Sequence, residues 1–159
     1  MAEKQGDTGF TDLPGEKGVP KNHPRIKACG ALDAASCSIG LCRAAAGAEL
    51  KACLLEIQKE MVTAAACASG LDYGDKMNAA CGRLESRLKK ASAGLKPAGA
   101  FILPGENELD ARLHRARAEV RAAECACAAL PDCAGLKKYL NMLSSYLFAE
   151  ARKASGFGI

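Results

Sequence analysis

Apolar side chains recur at steps of three and four along most of this chain, and helix is the regular structure that brings such positions onto one face. Leu50, Leu54, Ile57 and Met61 are spaced 4, 3 and 4 apart, and Met77, Cys81, Leu84 and Leu88 repeat that spacing. A longer stripe follows in Leu109, Leu113, Ala116, Val120, Ala123, Cys127 and Leu130, and a last one in Leu136, Leu140, Leu143 and Leu147. No segment shows a convincing two-residue alternation of the kind a half-buried strand needs. Gly and Pro divide the pattern into five predicted helices: about Arg25 to Ala46, Glu49 to Ser69, Asp75 to Ala93, Glu106 to Leu130, and from about Leu136 to a fading end near Ser155-Gly156. The expected architecture is all-α, an antiparallel five-helix bundle over residues 25–155.

The core of such a bundle must be built from small residues. Aromatics make up 4% of the 159 residues and Trp is absent, which leaves Ala, Leu and Cys to fill the interior. Closely packed helices accept that composition; a β-sandwich wants branched and aromatic side chains. Residues 1–24 hold Gly6, Gly9, Pro14, Gly15, Gly18, Pro20 and Pro24, which excludes a regular helix and predicts an extended leader, disordered or held against something.

Nine cysteines, an odd number without a Cys-x-x-Cys pair, accompany only two histidines. Zinc sites want ligands paired at short spacing, so a metal centre is not expected. With a polar, Gly-rich start in place of a secretory signal, the expected setting is a reducing cytoplasm in which Cys serves as a small buried hydrophobe. Cys81 and Cys127 lie on apolar stripes and fit that role. A net charge of +4 suits phosphate ligands, but no Lys/Arg block tracks a nucleic-acid backbone and no apolar run spans a membrane.

Four features could carry chemistry. On the fourth predicted helix, His114, Arg117, Arg121 and Glu124 form a second stripe one residue round from the apolar one, at the edge of the buried surface. The plain alternative is a solvated flank with an Arg121–Glu124 ion pair. In the leader, Gly6, Asp7, Gly9 and Thr11, with Lys21 beyond, could approach a phosphate and its Mg²⁺, although Gly-Lys-Ser/Thr is missing. Phe101-Ile102-Leu103 precedes Pro-Gly and reads most simply as a loop anchored in the core. Asn141 sits beside the last apolar stripe, where a surface or capping role is the default.

Taken in order, these features form a recognisable series. A Gly-Asp-x-Gly-x-Thr leader is followed by Lys21, Gly30 to Asp33, Ile57-Gln58, Leu84-Glu85 and Phe-Ile-Leu-Pro-Gly from Phe101. Leu-His-x-Ala-Arg-x-x-x-Arg-x-Ala-Glu then runs from Leu113 to Glu124, and Tyr-Leu-Asn-x-Leu-Ser from Tyr139 to Ser144. The series resembles the propanediol-utilisation type of ATP:cob(I)alamin adenosyltransferase, from about Gly6 to Arg152.

That resemblance implies a ferritin-like five-helix bundle assembled as a homotrimer, with sites between subunits, and transfer of the 5′-adenosyl group of ATP to cob(I)alamin. It implies that Gly6, Asp7, Gly9, Thr11 and Lys21 cradle the triphosphate, and that Arg121, Glu124 and Asn141 hold the rest of the nucleotide, with Mg²⁺ near Glu124. Asp33 and Arg117 would form a salt bridge at the subunit contact, Phe101 would cover the lower face of the corrin, and Phe148 would line the same cavity. A cobalamin-dependent enzyme would receive the product, and a bacterial microcompartment is a compatible address. Ala122 and Cys125 stand where the family carries basic residues, and Met142 and Ser145 where it carries Arg and Asp. Two further readings therefore stand beside the first: a non-catalytic corrinoid- or nucleotide-binding relative, and a helical scaffold.

Overall fold

The computed structural model describes residues 6–97, 99 and 101–156. Five long helices follow a short hairpin: α1 (Pro24–Ala45), α2 (Ala48–Ser69), α3 (Gly74–Ser92), α4 (Glu108–Ala128) and α5 (Ala134–Ser155). Their limits are set by local chemistry. Pro24 opens α1 in a position that lacks a helical acceptor for its nitrogen anyway, and the His23 ring accepts the Arg25 N–H at 3.2 Å. Gly70 ends α2 with φ +106°, a left-handed conformation that a side chain would strain. The fourth helix is two residues shorter at each end than the predicted Glu106 to Leu130. Asn107 caps it by accepting the Asp110 N–H at 2.9 Å, and it stops at Ala128 just ahead of Pro131.

The two-residue break between α1 and α2 forces an antiparallel return. α1 packs on α2 and α4, α4 on α5, and α5 on α3, while α2 and α3 close the ring with a lighter contact. The 93–107 connection therefore crosses between α3 and α4, helices that are not among the principal packed pairs. The interior is small-residue packing, with Ala28, Ala35, Ala64, Ala116, Ala123 and Ala151 fully buried beside leucines. Cys42 and Cys127 are fully buried and Cys81 and Cys133 nearly so, whereas Cys37 and Cys125 are exposed. Burial pushes the Cys42 thiol up to about 11 and the Cys127 thiol to about 12.

One charged network crosses this interior. Glu60 of α2, 6% exposed, takes Arg83 Nε at 2.8 Å, Arg87 Nη1 at 3.0 Å and the Tyr139 hydroxyl at 2.8 Å. It ties α2 to α3 and α5 through a carboxylate whose lone pairs are well used.

The leader is extended and is held in regular structure. It forms an antiparallel hairpin, β1 (Phe10–Leu13) and β2 (Glu16–Pro20), with Thr11 opposite Val19. Pro14-Gly15 makes the turn, and Gly15 supplies the positive φ (+78°) that such a turn requires. Only Leu13 and Val19 are buried, too few apolar positions to announce a strand by alternation.

Candidate functional site

The hairpin brings most of the leader candidates together. The Lys21 N–H donates to the Gly9 carbonyl at 2.9 Å, closing the open end of the two strands. Gly6 has φ +101°, and a Cβ there would sit 3.4 Å from Lys21 Nζ, so the ammonium lies directly over a residue kept bare. Gly6, Gly9 and Lys21 thus share one end of the hairpin, with Thr11 two residues into β1. Exposed backbone beside an ammonium is the material from which phosphate cradles are made.

A second group is built on α4 and α5 around Phe148. The His114 ring meets Phe148 edge-on at 5.9 Å. The guanidinium carbons of Arg117 and Arg152 stand 5.7 and 6.0 Å from the same ring centroid. Phe148 lines a cavity of about 470 Å³, with Leu88 and Ser145 on the helices and Leu95 to Pro97 on the connection. The stripe read from the sequence is real, and it is graded. His114 is buried, Arg117 and Glu124 are half-buried, and Arg121 is exposed.

His114 Nε2 lies 3.4 Å from Asp110 Oδ1, and neither His114 nitrogen has a hydrogen-bond partner. Burial lowers its pKa below the usual imidazole range, against the pull of Asp110, so the ring is neutral near neutral pH.

Two plain alternatives fail. Arg121 and Glu124 make no ion pair among the described residues, nor do Asp33 and Arg117 within one chain. Asp33 is exposed on α1, and Arg117 Nε is buried without a partner. The apolar run in the connection is not anchored in the core: Phe101 is 87% and Leu103 73% exposed, and only Ile102 is partly covered. The side chain of Asn141 is exposed and makes no hydrogen bond, although its carbonyl accepts from the Ser144 and Ser145 hydroxyls at 2.8 and 3.2 Å.

Sequence reasoning missed two residues that hold this region. Asp110 is fully buried and Oδ2 accepts from the Gly105 and Glu106 amides at 2.7 and 3.1 Å. Arg152 donates from Nη2 to the Lys96 carbonyl at 2.6 Å. The one available signal was a charge set among apolar positions, Asp110 after Leu109 and Arg152 after Ala151.

No group of three or more His, Cys, Asp or Glu among the described residues could hold a metal ion. Glu124 offers one half-buried carboxylate. That suits Mg²⁺ carried largely by nucleotide phosphates, a cation content with one or two protein carboxylates, and does not suit an all-protein cage.

The comparisons with known proteins fall on this same frame. Residues 1–154 match the family model described as cobalamin adenosyltransferase. The chain is 34% identical over 160 residues to the corrinoid adenosyltransferase PduO of Salmonella typhimurium, covering 94% of this chain and 48% of that protein. It is 31% identical to the human corrinoid adenosyltransferase MMAB, covering 96% of this chain and 67% of that protein. This chain spans about half the length of the Salmonella and Citrobacter PduO relatives.

Among solved structures, a PduO-type ATP:corrinoid adenosyltransferase from Lactobacillus reuteri, a phenylalanine-to-alanine variant complexed with cobalamin and ATP, superposes with a TM-score of 0.85. It is 25% identical, covering 96% of this chain and 91% of that one. An arginine-to-lysine variant complexed with ATP gives the same TM-score at 27% identity, covering 99% and 95%. The five-helix bundle expected from apolar spacing is therefore the fold of these proteins, and the chain belongs to the cobalamin adenosyltransferase family.

Proposed function

We propose that this protein transfers the 5′-adenosyl group of ATP to cob(I)alamin. The observation that carries this reading is a set of polar side chains without partners in their own chain. Asp33, Arg121, Glu124 and Asn141 make no side-chain hydrogen bond or ion pair among the described residues, and the same bundle carries a largely apolar cavity lined by Phe148. A scaffold has no use for that arrangement. A charged nucleotide and a large apolar ring system together would use all of it.

In this reading residues 1–24 wrap the nucleotide, and residues 25–155 form the helical body that holds the corrinoid. Gly6, Asp7, Gly9, Thr11 and Lys21 hold the triphosphate, and Arg121, Glu124 and Asn141 hold the remainder, with Mg²⁺ near Glu124. The cobalt nucleophile forms a bond to C5′ while the C5′–oxygen bond breaks, and triphosphate leaves with the electron pair. No proton has to be moved, so the protein's work is to align the carbon with the metal and offset the charge that departs. Lys21 and Arg121 do the second. Phe101 and Phe148 exclude water from the corrin, which favours loss of its lower ligand and eases reduction to Co(I).

Asp33 and Arg117 pair across a contact between copies, and in the homotrimer that the resemblance implies each site is completed by a neighbour. No helix among the described residues is long and apolar enough to cross a membrane. A reducing cytoplasm, with or without a microcompartment, and a cobalamin-dependent acceptor of the product complete the reading.

The test is an anaerobic titration of cob(II)alamin and Mg-ATP followed by a reductant strong enough to form Co(I). A four-coordinate Co(II) signal, then a Co–carbon product, is expected. Arg121→Ala should leave the bundle folded and lower kcat/KM for ATP about 10- to 100-fold, the range of one lost charge-assisted contact. Normal turnover by that variant removes Arg121 from the phosphate site. Binding of corrinoid without turnover by the unmodified chain would favour a non-catalytic relative, for which exposed Ala122 and Cys125, lacking cationic side chains near the nucleotide, are the reason.

A further inference from the structure

We infer that Arg152 is a positioning residue that fixes Phe101 by pinning the stem of the 93–107 connection, an inference that rests on the function proposed above. Arg152 is 8% exposed, yet no carboxylate among the described residues lies within ion-pair distance of it, and its Nε has no partner. Burying a guanidinium without a counter-ion costs stability. A methionine would fill the same space without that cost. What the charge secures is one strong bond to the connection, from Nη2 to the Lys96 carbonyl at 2.6 Å, while its plane stands beside Phe148.

The other stem is held as firmly. Asp110 takes the Gly105 and Glu106 amides, and Asn107 Nδ2 donates to the Ala154 carbonyl at 2.7 Å. The connection is thus tied to α5 at Lys96, to the first turn of α4 at Gly105 and Glu106, and again to α5 at Asn107. The stretch between the ties shortens from 93–107 to 97–104, and Phe101 lies inside it, 87% exposed. A ring so exposed has little packing of its own to place it, so its position is set by the stems. The cavity at Phe148 is bounded by Lys96, Pro97 and Arg152 themselves, which makes the same tie a wall of the apolar site.

The chain contains no Trp, so Leu103→Trp would place a single fluorophore inside the pinned stretch. In that background Arg152→Met should lower the tryptophan anisotropy without any ligand present. In the unlabelled protein it should raise KM for the corrinoid roughly tenfold, the scale of a small misplacement. KM for ATP should stay within about twofold, since the nucleotide groups do not touch this stem. Arg152→Lys keeps a donor for the Lys96 carbonyl and should recover most of the anisotropy and most of the corrinoid KM.

Unchanged anisotropy in Arg152→Met overturns the inference, whatever the melting temperature does. A loosened reporter with an unchanged corrinoid KM overturns it as well, because the tie would then not place Phe101. If Arg152→Met does not fold, Arg152→Gln, polar but too short to reach the Lys96 carbonyl, takes its place: its reporter must be loosened, and full rigidity overturns the inference. Absence of turnover in the unmodified protein would sink the proposed function, while the ligand-free anisotropy would still report on the tie.

Discussion

Removing the Glu60 carboxylate should be the most damaging single change in the bundle that touches no ligand. Glu60→Ala strands the Tyr139 hydroxyl, on a residue fully buried, and leaves the 18%-exposed Arg87 guanidinium without its counter-ion. Breaking a buried pair from one side costs about 3–5 kcal/mol. Arg83 adds little, because its side chain is 54% exposed and water replaces the lost contact. At about 2–4 °C per kcal/mol for a chain of this size, the melting temperature should fall by roughly 6–20 °C. Tyr139→Phe removes one donor and leaves Glu60 with both arginines, so about 1–2 kcal/mol is expected. The informative variant is the double one. Once the carboxylate is gone the hydroxyl is an unsatisfied buried group, so adding Tyr139→Phe to Glu60→Ala should cost nothing or restore stability. Thermal unfolding followed by circular dichroism measures all three. Additive losses in the double variant would refute the reasoning, since they would mean that the hydroxyl is stabilised by something other than Glu60.

Burial holds Cys42, Cys127, Tyr139 and Tyr146 above their ordinary pKa values, so above about pH 9 the unfolded chain releases protons that the folded chain keeps. Stability is fully present below that pH and should fall by about 1.4 kcal/mol per pH unit for each group engaged, the two thiols between pH 9 and about 11 to 12; urea midpoints that stay level from neutral pH to about 11 would contradict this. Phe101→Ala removes a ring that packs on little of the protein, so its melting temperature should shift by less than about 1 kcal/mol equivalent while the four-coordinate Co(II) signal weakens severalfold, and an undiminished signal would return Phe101 to a plain surface role.

Four of the five helices were legible because each buries a stripe that the sequence spells out, and the first because Pro24 and Gly47 bound it. Leu54, Ile57 and Met61, or Leu140, Leu143 and Leu147, are buried as their spacing requires. The α4 flank was legible for the same reason, since one residue of rotation from a buried stripe is the rim of the core. What could not be read were ties between positions remote in the chain. Tyr139 meets Glu60 across 79 residues, and Arg152 meets Lys96 across 56. A lone charge beside an apolar stripe looks the same whether it reaches solvent or a distant partner. The hairpin escaped notice because only Leu13 and Val19 face inward, and Phe101 read as anchored because apolar runs usually are. Of the candidate site, the hairpin end and the Phe148 cluster are close groupings; Asp33, Arg121 and Asn141 are exposed side chains on three different helices.

The uneven burial of the nine thiols gives the protein a built-in chemical selectivity. Cys42 and Cys127 are sealed in and held protonated, whereas Cys37 and Cys125 face outward. Those two stand one helical turn beyond Asp33 and Arg121 respectively. An alkylating reagent used sparingly would therefore mark these two positions on α1 and α4 ahead of the half-buried Cys29, Cys53 and Cys67, and spare the core. A label at Cys125 would report on the nucleotide binding and the contact between copies proposed above.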